Sequence, residues 1–300
     1  MAFGCDILLA GSMEAVPGSS SPDLSDVVRE SLESHGLTVI RMPFPQNIHH
    51  DEFGYHRALI RTLSEIHPRL ILPVGDALSL ARFRRVLDSG RSFRLKSAGG
   101  GTKAAELPRD IVIACDSEEN ITRLSGKCSF NALASELGIR VPRTYSSASE
   151  TGLPHATGGP GTAAGPDVGK TSAADIIFKR DISYGGHGVH RPRTVEALER
   201  LIAHQRPGEP YLIQDFIPGE DFSVDAVRFP GSFFRASSYR VTSSSGNGPS
   251  VERTVLPRPD LEETARRIMD GLDCRGLCGF DFRVTAEGVP YVLECNPRCM

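Results

Sequence analysis

The chain has 300 residues, 39% of them apolar, with 34 Lys and Arg against 37 Asp and Glu and a net charge of -3; it can bury ordinary cores, and roughly two or three small domains are expected. It lacks the basic stripe interleaved with aromatics that a nucleic-acid partner requires, and no run approaches the ~18 apolar residues of a membrane span. Seven cysteines without dense spacing, and a start without a basic leader, argue against a disulfide-stapled secreted domain and point to a reducing, cytoplasmic setting.

The first third alternates short apolar runs with helical patterns. Residues 5–10 (CDILLA), 37–42 (LTVIRM), 70–74 (LILPV) and 111–115 (IVIAC) read as strands buried on both faces. Leu24, Val27, Val28 and Leu32 share one helical face, and Ala58, Leu59, Leu63 and Ile66 share another. Strand-helix-strand order predicts an open, mostly parallel α/β unit over residues 1–119. Its first turn, Gly11-Ser12-Met13, lacks the glycine pattern of a dinucleotide site.

A second unit is predicted over residues 120–216. SGKCSFNALASELGIRVPRTY gives a helix stopped by Gly138 and a strand at 139–141. Residues 146–172 are rich in small residues and Pro, have no apolar period, and read as a mobile loop. Gly169-Lys170-Thr171 within it imitates the end of a phosphate-binding P-loop, but the pattern needs glycine at 164, which is Ala. Then follow a strand at 175–179, a helix at 194–204 and a strand at 211–216. A third unit over 217–300 has strands at 222–229 and 232–241, an irregular stretch at 242–250, a helix at 260–272, a hairpin at 286–288 and strands at 279–285 and 291–296. Its short connections demand antiparallel pairing.

Three segments carry chemistry. Gly185, Gly186 and Gly188 follow a strand ending in Lys179, so backbone N–H groups can turn toward an anion with the ammonium as a point charge; a flexible hairpin beside a surface lysine has the same composition. In YLIQDFIPGED, an apolar strand turns at Pro218-Gly219, where backbone groups can read a purine edge, Leu212 and Ile217 can sandwich it, and Glu220 or Asp221 can take ribose hydroxyls; an ordinary strand-turn-strand reads alike. Asp281 lies on one strand and Glu294 and Asn296 on the next. Period two turns Glu294 and Asn296 to one face and Cys295 to the other. Carboxylates in so apolar a strand, expected to be central in its sheet, need a cation or donors, and three oxygen ligands suit Mg2+.

Taken in order, these segments resemble the ATP-grasp superfamily, in particular carboxylate-amine ligases related to carbamoyl-phosphate synthase and biotin carboxylase. The resemblance implies a Rossmann-like N-terminal domain, then two α+β subdomains with the nucleotide cleft between them: a lid at 120–216 and a C-terminal subdomain at 217–300. It implies ATP and Mg2+, with Mn2+ as a substitute. Lys127 (in SGKCSF) and Lys179 would reach the phosphates, covered by Ser183, Gly185, Gly186 and His187. Gln214, Asp215, Phe216 and Ile217 would form the purine hinge, with Asp221 on the ribose. Asp281, Glu294 and Asn296 would be the metal ligands, and Asn296-Pro297-Arg298 is the family's Asn-Pro-Arg segment. Gln214 stands where Glu is commoner, and Arg180 where Pro is.

The implied reaction is ADP-forming activation of a small carboxylic acid as an acyl phosphate, which an amine attacks. Arg298 and Lys179 are the catalytic candidates, and Arg298 and Arg240 the substrate-binding ones. A non-catalytic ATP-binding regulator or scaffold is the alternative. Family members continue beyond the Asn-Pro-Arg segment, so a homodimer mate, another partner or a longer chain is expected to complete the pocket. Two C-x3-C pairs, Cys274/Cys278 and Cys295/Cys299, raise a zinc question, but buried thiols are the preferred reading.

Overall fold

The computed structural model describes residues 7–12, 30, 32–43, 52–73, 77–89, 94–96, 102–105, 111–155, 175–183, 188–229, 233–244 and 250–298. In chain order the N-terminal elements are β1 (Ile7–Ser12), β2 (Val39–Pro43), α1 (Glu52–Ile66), β3 (Leu70–Pro73), α2 (Ala77–Asp88), β4 (Arg94–Lys96), β5 (Thr102–Ala104) and β6 (Val112–Ile113). The first sheet runs β2-β1-β3-β6, its pairs all parallel as the alternation predicted, while β4 and β5 form a separate antiparallel ladder. Tyr55, Leu59, Ile60 and Leu63 recur at helical spacing on α1, so one face of it is buried, in a core with Leu8, Ile71 and Phe83. The helix expected around residues 24–32 falls mainly outside the described residues.

Helix α3 (Glu118–Ser125) starts where Ser117 Oγ accepts from Asn120 N, with Glu118 and Glu119 in its positive first turn. Helix α4 (Lys127–Glu136) ends at Gly138, whose φ of 64° suits a residue without Cβ. The strand expected at 139–141 does not form. Pro142 withholds a donor, and the segment keeps one bond across, from Val292 N to Arg140 O at 3.0 Å.

The second sheet contains β7 (Thr144–Tyr145), β8 (Ile176–Arg180), β9 (Val189–His190) and β10 (Tyr211–Asp215) in the antiparallel order β7-β10-β8-β9. Helix α5 (Val195–Ala203), capped by Thr194, buries Leu198 against Ile176, Phe178 and Ile213. The predicted mobile loop begins with order: Ala148–Thr151 is a 3-10 turn, and Ala148, Thr151 and Leu153 are buried. Residues 156–174 lie outside the description.

The third sheet is β11 (Glu220–Phe229), β12 (Phe233–Ser244), β13 (Ser250–Val255), β14 (Gly276–Val284) and β15 (Pro290–Asn296), antiparallel in the order β13-β12-β11-β14-β15. Helix α6 (Pro259–Gly271) and helix α4 cover one face: Phe130 and Leu133 meet Leu261, Ala265, Ile268 and Met269 over Phe222, Val224, Phe280, Phe282 and Cys295. Two expectations are corrected. β12 extends into the stretch read as irregular and pairs with β13, whose SVERTV carries charges and lies mostly in a segment for which no element is predicted. β15, expected to be central, is an edge strand; its apolar residues are explained by burial of Val292 and Cys295 under the helices.

The first and third sheets join at Asp116. Its Oδ2 accepts from Arg275 N at 2.7 Å and from Asn120 Nδ2 at 3.1 Å. Gly276 beside it has φ of 93°, and a Cβ there would meet Ala114 O at 2.6 Å and Ala114 C at 2.7 Å. Gly276→Ala is therefore expected to destabilise the chain by about 2–3 kcal/mol, measured as a lower urea midpoint; an unchanged midpoint would show that the junction yields without cost.

Candidate functional site

The third sheet has one face packed and one open, and cross-strand register selects the residues of the open face. Asp221, Ser223 and Asp225 on β11 stand opposite Arg283, Asp281 and Gly279 on β14; Asp281 and Gly279 in turn stand opposite Glu294 and Asn296 on β15. A register shift between Asp281 and Phe282 leaves Leu293 unpaired, so Val292 and Cys295, three residues apart, both reach the core while Glu294 and Asn296 face the opening.

Six of the predicted groups meet here directly. Asn296 Nδ2 donates to Asp281 Oδ2 at 3.4 Å, and Arg298 Nη1 donates to Asn296 Oδ1 at 2.7 Å. Lys127 Nζ lies 3.4 Å from Glu294 Oε2 and also 3.4 Å from Ser183 Oγ. Lys127 opens α4 beside Asp181, which accepts from Cys128 N at 2.7 Å and so supplies the cap that Gly126 cannot. A cavity of about 60 Å³ lies between Lys127, Ser183 and the segment Glu294 to Arg298. A larger one, about 390 Å³, lies on the packed side of the sheet, away from these charges.

Lys179 comes from β8, on the face of the second sheet opposite its core, next to Leu212 in cross-strand register. Burial holds its ammonium down to about 8 from the ordinary 10.5; attraction to Glu294 opposes that, while Lys127 and Arg283 add repulsion. Asp281 is pushed well above the usual carboxylate range, first by burial and then by facing Glu294. The lysines and acids predicted from separate segments thus sense one another across one cleft.

Gln214 is buried: its Nε2 donates to Thr144 Oγ1 at 3.3 Å, and its Oε1 has no donor among the described residues. Asp215 accepts from Tyr145 Oη at 2.6 Å. Phe216 donates its N–H to Asp175 O and carries the Arg191 guanidinium 3.8 Å from its ring centroid. Ile217 follows on the same hinge, half-buried. Gly185, Gly186 and His187 lie outside the described residues.

Three arginines depart from the prediction. Arg240 pairs in register with Phe222, on the helix-covered side, and lies 3.7 Å from Glu220, so the fold keeps it away from Asp281 and Glu294. Arg253, on the strand missed from sequence, lies instead on the open face, its Nη1 3.4 Å from both Ser223 Oγ and Asp225 Oδ2. Arg283, also missed, holds Asp221 at 2.9 Å and donates to Gly219 O at 3.2 Å. Period two alone could have placed Arg283 beside Asp281; no sequence signal marked Arg253.

Among the described residues, no set of three or more His, Cys, Asp or Glu is arranged to hold a metal ion. Asp281 and Glu294 are two acids accompanied by an amide. Cys274 and Cys278, the pair behind the zinc question, are buried with their Sγ atoms 3.9 Å apart; Cys299 is not described. Nor, among the described residues, is any helix long and apolar enough to cross a membrane.

A family model described as an ATP-grasp domain matches residues 129–300. The carbamoyl phosphate synthase large chain of Thermoanaerobacter sp. (strain X514) is 26% identical over 216 residues, which is 66% of this chain and 19% of that protein. The chain thus spans about a fifth of that relative's length. Among solved structures, an L-amino acid ligase from Bacillus licheniformis superposes with a TM-score of 0.59 at 14% identity, over 99% of this chain and 68% of that one. A biotin carboxylase-β-γ-ATP complex from Campylobacter jejuni gives 0.63 at 14%, over 98% and 66%. At such identities the likeness is one of fold.

The lysine shift has a testable sign. A base whose folded value lies below its unfolded one binds fewer protons when folded, so its cost is fully present below about 8 and disappears as pH rises toward 10.5. Without nucleotide or divalent cation, Lys179→Met is expected to be about 1–3 kcal/mol more stable than the parent near neutral pH, the gap closing at alkaline pH. Calorimetric melting across that range checks it; a variant that melts lower near neutrality contradicts the burial cost.

Proposed function

The chain belongs to the ATP-grasp family, and from that premise we propose that it is an ADP-forming carboxylate-amine ligase using Mg-ATP. The observation that carries the reading is the meeting of Lys127 with Glu294, and of Glu294 with Asp281, on the open face of one sheet. The cleft lies between a lid unit over 120–216 and a C-terminal unit over 217–300, with 1–119 as the N-terminal domain and α4 packed into the core of the C-terminal unit.

On this reading the buried, donor-less Oε1 of Gln214 accepts from the purine amine, and the backbone of Asp215, Phe216 and Ile217 lines the base. Asp221 takes ribose hydroxyls. Lys127 and Lys179 hold the phosphates, with Ser183, Gly185, Gly186 and His187 over them. Asp281, Glu294 and Asn296 fit Mg2+ or Mn2+: two facing carboxylates, one of them disfavoured as an anion where it lies, form a hard-oxygen set that a divalent cation relieves. When bound, that cation neutralises charge on the phosphoryl oxygens.

A substrate carboxylate oxygen attacks the γ-phosphorus as the bond to the bridging oxygen breaks, giving an acyl phosphate and ADP. The lone pair of an amine then attacks the acyl carbon, phosphate leaves with the bonding pair, and the amine proton passes to solvent. Arg298, oriented by Asn296, is the clamp for the acyl phosphate. Arg253 replaces Arg240 as the second substrate guanidinium because it lies on the cleft face.

A screen of amino and other small carboxylic acids with amine acceptors, monitored for ADP, tests the reading. Asp281→Asn, Glu294→Gln and Arg298→Gln are each expected to lower turnover on the order of 10²–10³-fold. Arg253→Gln should raise KM for the acid about tenfold and leave KM for ATP nearly unchanged. Mg-ATP affinity without ADP formation from any acid would instead identify a non-catalytic binder.

A further inference from the structure

The hinge between the second and third sheets, residues 216–221, is held at three points by a single guanidinium from β14. Arg283 Nε forms an ion pair with Asp221 Oδ1 at 2.9 Å, its Nη1 donates to Gly219 O at 3.2 Å, and the group stands 5.5 Å from the Phe216 ring centroid. The turn has little room to leave it. A Cβ on Gly219 would collide with Val284 O and come within 2.7 Å of Val284 C, so the turn lies directly against the residue that follows Arg283. At the other end, Phe216 donates its N–H to Asp175 O, and Arg191, itself paired with Asp175, stands 3.8 Å from the ring centroid.

Asp221 and Arg283 are direct cross-strand partners on the open face that also carries Asp281 and Glu294. The Arg283 side chain is 22% exposed against 43% for Asp221, so the guanidinium is shielded while the carboxylate stays open to a ligand. Its Oδ2 has no partner among the described residues. Burial pushes this carboxyl up and Arg283 opposes that, which favours the charged form that accepts from hydroxyls. We propose that Arg283 is a positioning residue for the nucleotide: it occupies Oδ1 of Asp221 and leaves Oδ2 aimed at the ribose hydroxyls. The proposal rests on the reading of Asp221 as the ribose acid. A lone aspartate at a turn can fold back on neighbouring backbone N–H groups; tied to β14, it is set in place before the nucleotide arrives. Removing Arg283 also relieves repulsion on Lys179, which alters affinity for every triphosphate alike. The ratio between ATP and its deoxy analogues therefore isolates the ribose contact.

Calorimetry on the full chain with the magnesium complexes of ATP, 2′-deoxy-ATP and 3′-deoxy-ATP tests the assignment. The parent is expected to bind ATP about tenfold more tightly than at least one deoxy analogue. Arg283→Gln and Asp221→Ala should each reduce that preference to about threefold or less, and the double variant should reduce it no further, because both act through one carboxylate. Arg283→Lys, which keeps the charge but loses the planar fork, should fall between parent and Arg283→Gln. A purely structural role would weaken ATP and the deoxy analogues equally, and a preference that survives in Arg283→Gln overturns the proposal. So does a double variant that loses more than either single one, or a parent that binds all three nucleotides alike. Should Arg283→Gln not fold, Arg283→Lys carries the test, and an unchanged preference there counts against the proposal in the same way. A parent that binds no Mg-ATP at all is a different result: it removes the nucleotide reading of the cleft, and the role of Arg283 goes with it.

Discussion

A half-buried carboxylate facing another carboxylate is the constraint on which the remainder of this site depends. Asp281 and Glu294 are direct cross-strand neighbours, and the protein surrounds them with positive charge: Lys127 on Glu294, Lys179 from the second sheet, and Arg298 through Asn296. Separately, each of these groups would be costly to desolvate. Together they form a cleft in which both signs are present but not matched, since Asp281 is still disfavoured as an anion and Lys179 as a cation. Such residual mismatch lowers the stability of the empty chain, and on the proposed reading a ligand that brings phosphate and a divalent cation relieves it.

The packed face of the third sheet sets the geometry of its open face. Phe280, Phe282 and Cys295 are locked into a core with α4 and α6, so the residues between them are aimed by default at the cleft. The bulge at Leu293 adjusts that default by one position, letting Val292 stay buried without turning Glu294 inward. Helix α4 acts on both sides. Its apolar residues complete the core, while its first residue, Lys127, is delivered to Glu294 with Asp181 capping the turn.

Arg283 and Arg253 show how charge is distributed beyond the recognisable motifs. Arg283 stands two residues after Asp281, ties Asp221 to β14 and adds its repulsion to Lys179. Arg253 enters from β13 toward Ser223 and Asp225. Asp221 and Asp225 thus each have a guanidinium of their own, and the open face of the sheet carries more positive charge than Lys127 and Lys179 alone supply.

Local chemistry was legible in the sequence wherever it repeats with a short period or stands within a few residues. The parallel N-terminal sheet followed from apolar runs separated by helical patterns. Glu294 and Asn296 shared a face because they are two apart, and Lys127, Lys179, Asp281 and Arg298 could be named from motif order. Tertiary pairing decided what no window of sequence contains. Arg240 and Arg253 are both basic residues in polar strands, and only the register of β12 against β11 and β13 puts the first, exposed, on the side of the sheet that the helices cover and the second on the open face. Likewise β15 has the composition of a central strand because helices cover it, although its position is at the edge. Composition reports how much of a strand is hidden; which neighbour hides it is fixed by contacts between residues far apart along the chain.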